Sequence, residues 1–176
     1  MHEIMKNIHI GPELESDYKG VYDLIKTSFA TAEHSDGTEQ DLVENLRKSK
    51  AYIPELALVA ECDQRIVGYI MFTRVKVGQK TGLALAPLAV APDFQKQGVG
   101  SALINKGHEI AKRLGFEFSL VLGSEKYYPK FGYISAKDYG VEIPKGFPSS
   151  NFFIKPLQKN LKYVSGQVVY PKEFGL

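Results

Sequence analysis

Residues 82–104 read GLALAPLAVAPDFQKQGVGSALI, and the architecture follows from this one stretch. Gly82 to Ala91 carry no charge and show none of the alternation of a half-exposed strand, so they belong to a strand buried on both faces at the centre of its sheet. Pro87 has no N–H to give to a ladder, which predicts a bulge or an unpaired stretch at that point. Past Gln95 the chain turns on Gly98 and Gly100 into a helix predicted from Gly98 to Leu114. Val99, Leu103, Ile110 and Leu114 recur on its core side, while Asn105, Lys106, Glu109, Lys112 and Arg113 take the solvated side. Gly115 ends that helix as its C-terminal cap.

Upstream, the segments Leu56 to Cys62, Ile66 to Val77 and Gly82 to Ala91 are separated only by turns at Asp63-Gln64-Arg65 and Gly78 to Lys80, the pattern of an antiparallel meander. Before them, a short strand over Asn7 to Ile10 leads to a helix from about Ser16 to Phe29, on which Val21, Leu24, Ile25, Ser28 and Phe29 share a face. A second helix opens at Thr38, where Asp41 three residues on reads as a capping box, and runs to about Ser49. Its apolar stripe is Leu42, Val43 and Leu46. Downstream, Phe118 to Leu122 is predicted parallel to the central strand, because a strand, helix, strand unit of this length crosses over right-handed. The Pro- and Gly-rich remainder holds strands at Phe152 to Leu157 and Gly166 to Val169. Together these elements make an α/β or α+β domain spanning residues 1–176, with a mixed sheet and helices on its faces.

Composition narrows the partners. The 176 residues are 44% apolar, enough for one core. Lys plus Arg total 22 against 20 Asp plus Glu, and a net charge of +2 gives no footprint for nucleic acid or an anionic membrane. The longest apolar run is about half a membrane span, and the N-terminus lacks a signal peptide's apolar stretch. Cys62 is the only cysteine, which excludes an internal disulfide and a thiolate zinc site and predicts a reducing, cytoplasmic setting. It ends an apolar strand, where a thiol packs rather than reacts. His2, His9, His34 and His108 show no metal-ligand spacing, and no metal is expected.

The turn from Gln95 to Gly100 carries chemistry. Glycines at 98 and 100 let successive N–H groups point out of a helix N-terminus, where the helix dipole is positive, and this suits a pyrophosphate. The same glycines would also serve a plain strand-to-helix turn. A dinucleotide fingerprint needs a third glycine where Leu103 stands, and a P-loop needs a Gly-Lys-Ser/Thr that is absent, so both familiar nucleotide folds are disfavoured.

Taken whole, PLAVAPDFQKQGVGSALI (Pro87 to Ile104) resembles the coenzyme A motif of GNAT acetyltransferases, in which a central strand is followed by Pro and then Gln/Arg-x-x-Gly-x-Gly/Ala. YYPKFGY, from Tyr127 to Tyr133, is similar to the same family's aromatic-Tyr-x-x-x-Gly-Phe/Tyr segment. The resemblance runs from about Met5 to Leu157, and the tail through Val169, Tyr170 and Pro171 is similar to that of a bacterial YhbS-like subgroup. It implies a mostly antiparallel sheet whose central strand splays from its parallel neighbour, with acetyl-CoA as acyl donor and its pantetheine arm in the gap.

By the same resemblance, the Leu88 N–H would polarise the thioester, and the main chain of Ala89 and Val90 would hold the pantetheine. Gln95, Lys96, Gln97, Gly98, Val99, Gly100 and Ser101 would cradle the pyrophosphate. Tyr128 takes the position of the general acid that protonates the leaving thiolate, with Tyr127 as packing. Pro129 departs from the commonest pattern. Glu33 and His34, in the loop expected beside the acceptor, are candidate bases, though a water chain serves as well. The implied activity is direct transfer of an acetyl group to an amine on a small molecule or peptide, by a monomer or homodimer. The alternatives are a catalytically silent acyl-CoA-binding module and a nucleotide-binding regulator.

Overall fold

The computed structural model describes residues 5–32 and 35–176. Its strands are β1 (Ile8–Pro12), β2 (Ala57–Cys62), β3 (Arg65–Val77), β4 (Lys80–Val90), β5 (Phe118–Leu122), β6 (Ile134–Ser135), β7 (Val141–Glu142), β8 (Phe152–Pro156) and β9 (Gly166–Val169). The helices α1 (Tyr18–Phe29), α2 (Glu39–Arg47) and α3 (Val99–Arg113) fall where the periodicity puts them. The sheet runs β1-β2-β3-β4-β5-β8-β6, with β9 against the far end of β3 and β7 beside β9. The β4–β5 and β7–β9 pairs are parallel and the others antiparallel. β4 is thus central, with three strands to each side along the main path.

Side chains alternate across β3, and that alternation assigns the faces. Gly68 and Phe72 meet α3: a methyl added at Gly68 would lie 2.8 Å from Val99 and 2.9 Å from Leu103, and the Phe72 ring fills the space over Gly107. Tyr69 turns the other way, toward Glu13 and Arg47. On that second face Arg47 grips Glu13 with two hydrogen bonds, 2.8 and 3.1 Å, and Tyr52 gives Glu13 a third at 2.8 Å. The Arg47 guanidinium also covers the Tyr18 ring at 3.8 Å. This buried, fully engaged pair ties the end of β1 to α2, and losing one partner would strand a charge. On the β5 and β8 side, Phe118, Leu120, Phe152 and Ile154 pack against Ala136, Val141 of β7, Leu161 and Val164.

Three sequence expectations change in detail. Thr38 makes no side-chain cap bond on α2; its hydroxyl goes to Asp36 at 2.6 Å, so the capping box does not form. Leu114 is 45% exposed, because α3 has already ended and Leu114 serves as its cap. The central strand is buried on both faces only from Gly82 to Leu85; from there to Val90 buried and half-buried residues alternate. No helix among the described residues is long and apolar enough to cross a membrane.

Candidate active site

The end of that double burial marks the site. β4 and β5 are in register at only two pairs, Leu83 with Ser119 and Ala84 with Leu120, and beyond them the strands separate. On its other edge β4 stays with β3 but carries an extra residue: two steps on β3, from Ile70 to Phe72, face three on β4, from Leu88 to Leu85. This is the bulge foreseen at Pro87.

Register then determines where the main chain of β4 points. Ala91 N–H donates to Val67 C=O at 2.8 Å, which makes Val90 and Gly68 a non-hydrogen-bonded pair. By alternation Leu88 and Ile70 are another, so the N–H and C=O groups of Leu88 and Val90 point away from β3 into the gap. The Val90 carbonyl accepts from Ser28 Oγ at 3.2 Å and from Gln95 Nε2 at 3.1 Å. The N–H of Val90 and both groups of Leu88 are left to face the gap. Ala89, between them, spends its main chain on Tyr69.

The gap opens onto a cleft of about 300 Å³ lined by Leu88, Val90, Gln95, Lys96, Gly98, Gly100, Ser101 and Tyr127. Lys96 and Gly98 both take positive φ, 62° and 94°, and swing the chain into α3. Ala102 N–H is the first in that helix to reach back, to Gly98 C=O at 3.0 Å, so the amides of Val99, Gly100 and Ser101 lack intrahelical acceptors. Val99 itself is 1% exposed, its side chain in the core. Gln97 bonds the Asp93 carbonyl at 3.1 Å, and its own amide oxygen is buried without a partner among the described residues. A methyl added at Gly100 would sit 2.7 Å from the Tyr127 hydroxyl, so a side chain there would have to displace the Tyr127 ring.

Tyr127, expected as packing, therefore lines the cleft. Its neighbour Tyr128 opens a 3-10 turn, Tyr128–Phe131, with Pro129 at the second position, inside the first turn where its missing N–H costs nothing. The Tyr128 ring lies over Gly123, edge-on to Tyr127 at 5.2 Å and to Tyr133 at 5.7 Å. Its phenol makes no hydrogen bond to any described residue, and burial pushes its pKa up. Tyr133 is fixed from behind: its hydroxyl lies 2.9 Å from His108 Nε2 and 2.9 Å from Ser119 Oγ. Burial, with Lys155 adding to it, drives the His108 pKa down to about 3, so the ring is neutral at physiological pH. Gly123 is held by its N–H to Asn151 C=O, 2.9 Å, and by Asn151 Nδ2 to its own C=O, 3.1 Å.

Ser28 and Tyr127 are the residues that motif reading missed. Ser28 left a signal, a hydroxyl on the apolar face of α1. Glu33 and His34 lie outside the described residues. Among the described residues no cluster of three or more His, Cys, Asp or Glu could hold a metal.

A strand unzipped from its parallel neighbour, with free amides aimed into the gap and a glycine turn opening a helix beside it, sets an open strand edge next to an anion site, the layout of the GNAT acyltransferase fold. Residues 18–133 match the Acetyltransferase (GNAT) family, and the chain belongs to it. It is 36% identical over 118 residues to the uncharacterized N-acetyltransferase YjhQ of Escherichia coli K12, a match covering 64% of this chain and 65% of that relative, just under two thirds of the latter's length. With YhbS of the same organism the identity is 29% over 166 residues, 92% of this chain and 95% of YhbS. The YhbS crystal structure in complex with CoA superposes with a TM-score of 0.87 over 97% of this chain and 93% of that one, at 27% identity. A Brucella melitensis GNAT acetyltransferase in complex with acetyl-CoA gives 0.81 at 27% identity, covering 95% and 97%.

Proposed function

We propose that this chain transfers the acetyl group of acetyl-CoA directly to a primary amine of a small molecule or peptide, using the β4–β5 gap as the reaction site. The observation that carries the reading is the pair of non-hydrogen-bonded positions, Leu88 and Val90, whose main chain faces an open strand edge. That edge fits a pantetheine arm, which offers amides in the manner of a strand, and the α3 N-terminus fits a pyrophosphate. Acetyl-CoA bound there supplies an activated thioester and a thiolate leaving group.

The chain's own residues do the rest. Leu88 N–H donates a hydrogen bond to an oxygen lying in the gap, a preorganised dipole that strengthens as charge grows on that oxygen. Val90 N–H and the amides of Val99, Gly100 and Ser101 bind and orient, with Lys96 as an added charge. Ser28 and Gln95 hold the Val90 carbonyl and so fix the strand end. As the amine nitrogen bonds the acetyl carbon and the C–S bond breaks, Tyr128 would deliver the proton of its phenol to the departing sulfur and regain one from the amine through water; its place in the family motif and its socket between Gly123 and Tyr133 support that role. A phenol suits the task because it stays protonated at neutral pH and the thiolate is strongly basic. Tyr127 forms the cleft wall.

The test is release of free thiol from acetyl-CoA with a panel of small amines, aminoglycosides and peptide N-termini. Acceptor-dependent release with acetylated product is expected. Tight coenzyme binding with no turnover across the panel would favour the silent binding module instead.

A further inference from the structure

At the opposite end of β3 from the coenzyme cleft lies a larger groove of about 660 Å³. Five cations line it: Lys48 and Lys50 from the end of α2 and the segment after it, Arg74 and Lys76 from β3, and Lys172 from the C-terminal tail. Among the described residues Glu173 is the only carboxylate in its wall. Among the described residues none of the five forms an ion pair. Of the other seventeen Lys and Arg, five, namely Lys19, Arg47, Arg65, Lys80 and Lys106, are matched with Asp or Glu. With a net charge of only +2, this concentration is a local departure rather than a property of the whole surface.

Like charges gathered in a concave wall repel one another, and the repulsion is relieved by an anion among them. The walls are also held in place. Arg74 N–H donates to Ala51 C=O at 3.0 Å, and one Nη of its guanidinium bonds the carbonyls of Lys50 and Tyr52 at 3.4 and 3.2 Å. The guanidinium also lies 6.0 Å from the Phe116 ring centroid, and its Nε and second Nη make no hydrogen bond to a described residue, which leaves donors of the kind that recognise phosphate. Arg74 lies four steps along β3 from Ile70, the partner of Leu88, or roughly 13 Å along the strand. The groove's volume falls within the range of small-ligand sites. A polymer would need a stripe of cations running beyond a single hollow, whereas the five here line one groove.

We propose that this groove is a second ligand site, separate from the coenzyme cleft, for a small polyanion carrying two or more phosphate groups. The inference stands apart from the acetyl-transfer reading, since it uses none of the same residues. Isothermal titration calorimetry with inorganic tripolyphosphate, on protein saturated with coenzyme A so that the α3 turn is filled, measures it directly. Saturable binding is expected at low salt, weakened by 0.3 M sodium chloride and by about tenfold or more in Lys50→Glu/Lys76→Glu. Coenzyme affinity should not change in that variant. If the double variant fails to fold, Lys172→Glu carries the same test on the tail. No binding of tripolyphosphate at millimolar concentration, or equal binding by wild type and variant, overturns the proposal. So does tighter binding of a twenty-nucleotide single strand than of tripolyphosphate at equal salt, which would make the groove part of a polymer track.

Discussion

Tyr127 and Tyr128 are adjacent in sequence yet sit in different surroundings, one with its hydroxyl over Gly100 in the cleft, the other with its ring against Gly123 and Tyr133. If Tyr128 gives up the proton, Tyr128→Phe should lower kcat by roughly 10²- to 10⁴-fold while barely changing acetyl-CoA affinity, because the lost contact is made only in the transition state. Tyr127→Phe, which removes the same atom from the cleft wall, should act mainly on coenzyme affinity. Steady-state kinetics on the two variants separates them, and a crippled Tyr127→Phe beside a near-normal Tyr128→Phe would hand the proton to Tyr127. The motif YYPKFGY was legible as a unit, but which ring faces the cleft was not. That depends on how the 3-10 turn at Tyr128–Phe131 rotates the segment, and on a glycine at 123 that only the fold brings under the ring.

Among the elements, α3 has two ends with different work: its first turn presents amides to the cleft, while His108, two turns further on, is 7% exposed and bonded to Tyr133. A histidine held neutral by burial links stability to pH. Its pKa falls from 6.5 to about 3 on folding, so below pH 6.5 the unfolded chain binds the extra proton and stability drops as pH falls toward 3. The slope from this one group is about 1.4 kcal/mol per pH unit. Between pH 6.5 and 5.0, wild type should therefore lose about 1.6 kcal/mol more stability to urea than His108→Gln does. Parallel losses in the two proteins would show that His108 is not the linked group. Periodicity gave α3 its extent and most of its inward face. It did not give His108 its partners, because Ser119 and Tyr133 arrive from β5 and the segment after it, across long separations in sequence.

The whole molecule is two unequal sheets' worth of strands joined along β4 and β5 by two registered pairs. A ligand that bridges the gap binds the folded chain alone, so acetyl-CoA at a hundredfold excess over Kd should add about 2.7 kcal/mol and raise Tm. Gly98→Asp, which sets a carboxylate where an anion is expected, should abolish that rise without preventing folding. An unmoved midpoint in wild type at millimolar acetyl-CoA would remove the coenzyme from this cleft. At this scale the sequence was most informative: a charge-free central strand, the crossover rule and the proline bulge lead to the mixed sheet. The basic groove was invisible, because its five cations come from three separated segments and cancel in the net charge.

The open edge of β4 has a cost outside catalysis. A strand with unused amides is a template for any other strand that reaches it, and proteins ordinarily block such edges with charge, bulges or a covering element. Here the bulge at Ala86 and Pro87, the α3 turn and Tyr127 crowd the opening, and the coenzyme itself would complete the shield. The ligand-free chain is then the form most exposed to adventitious strand pairing, so coenzyme supply would act on this protein as a chaperone does, keeping one vulnerable edge out of reach of its own copies.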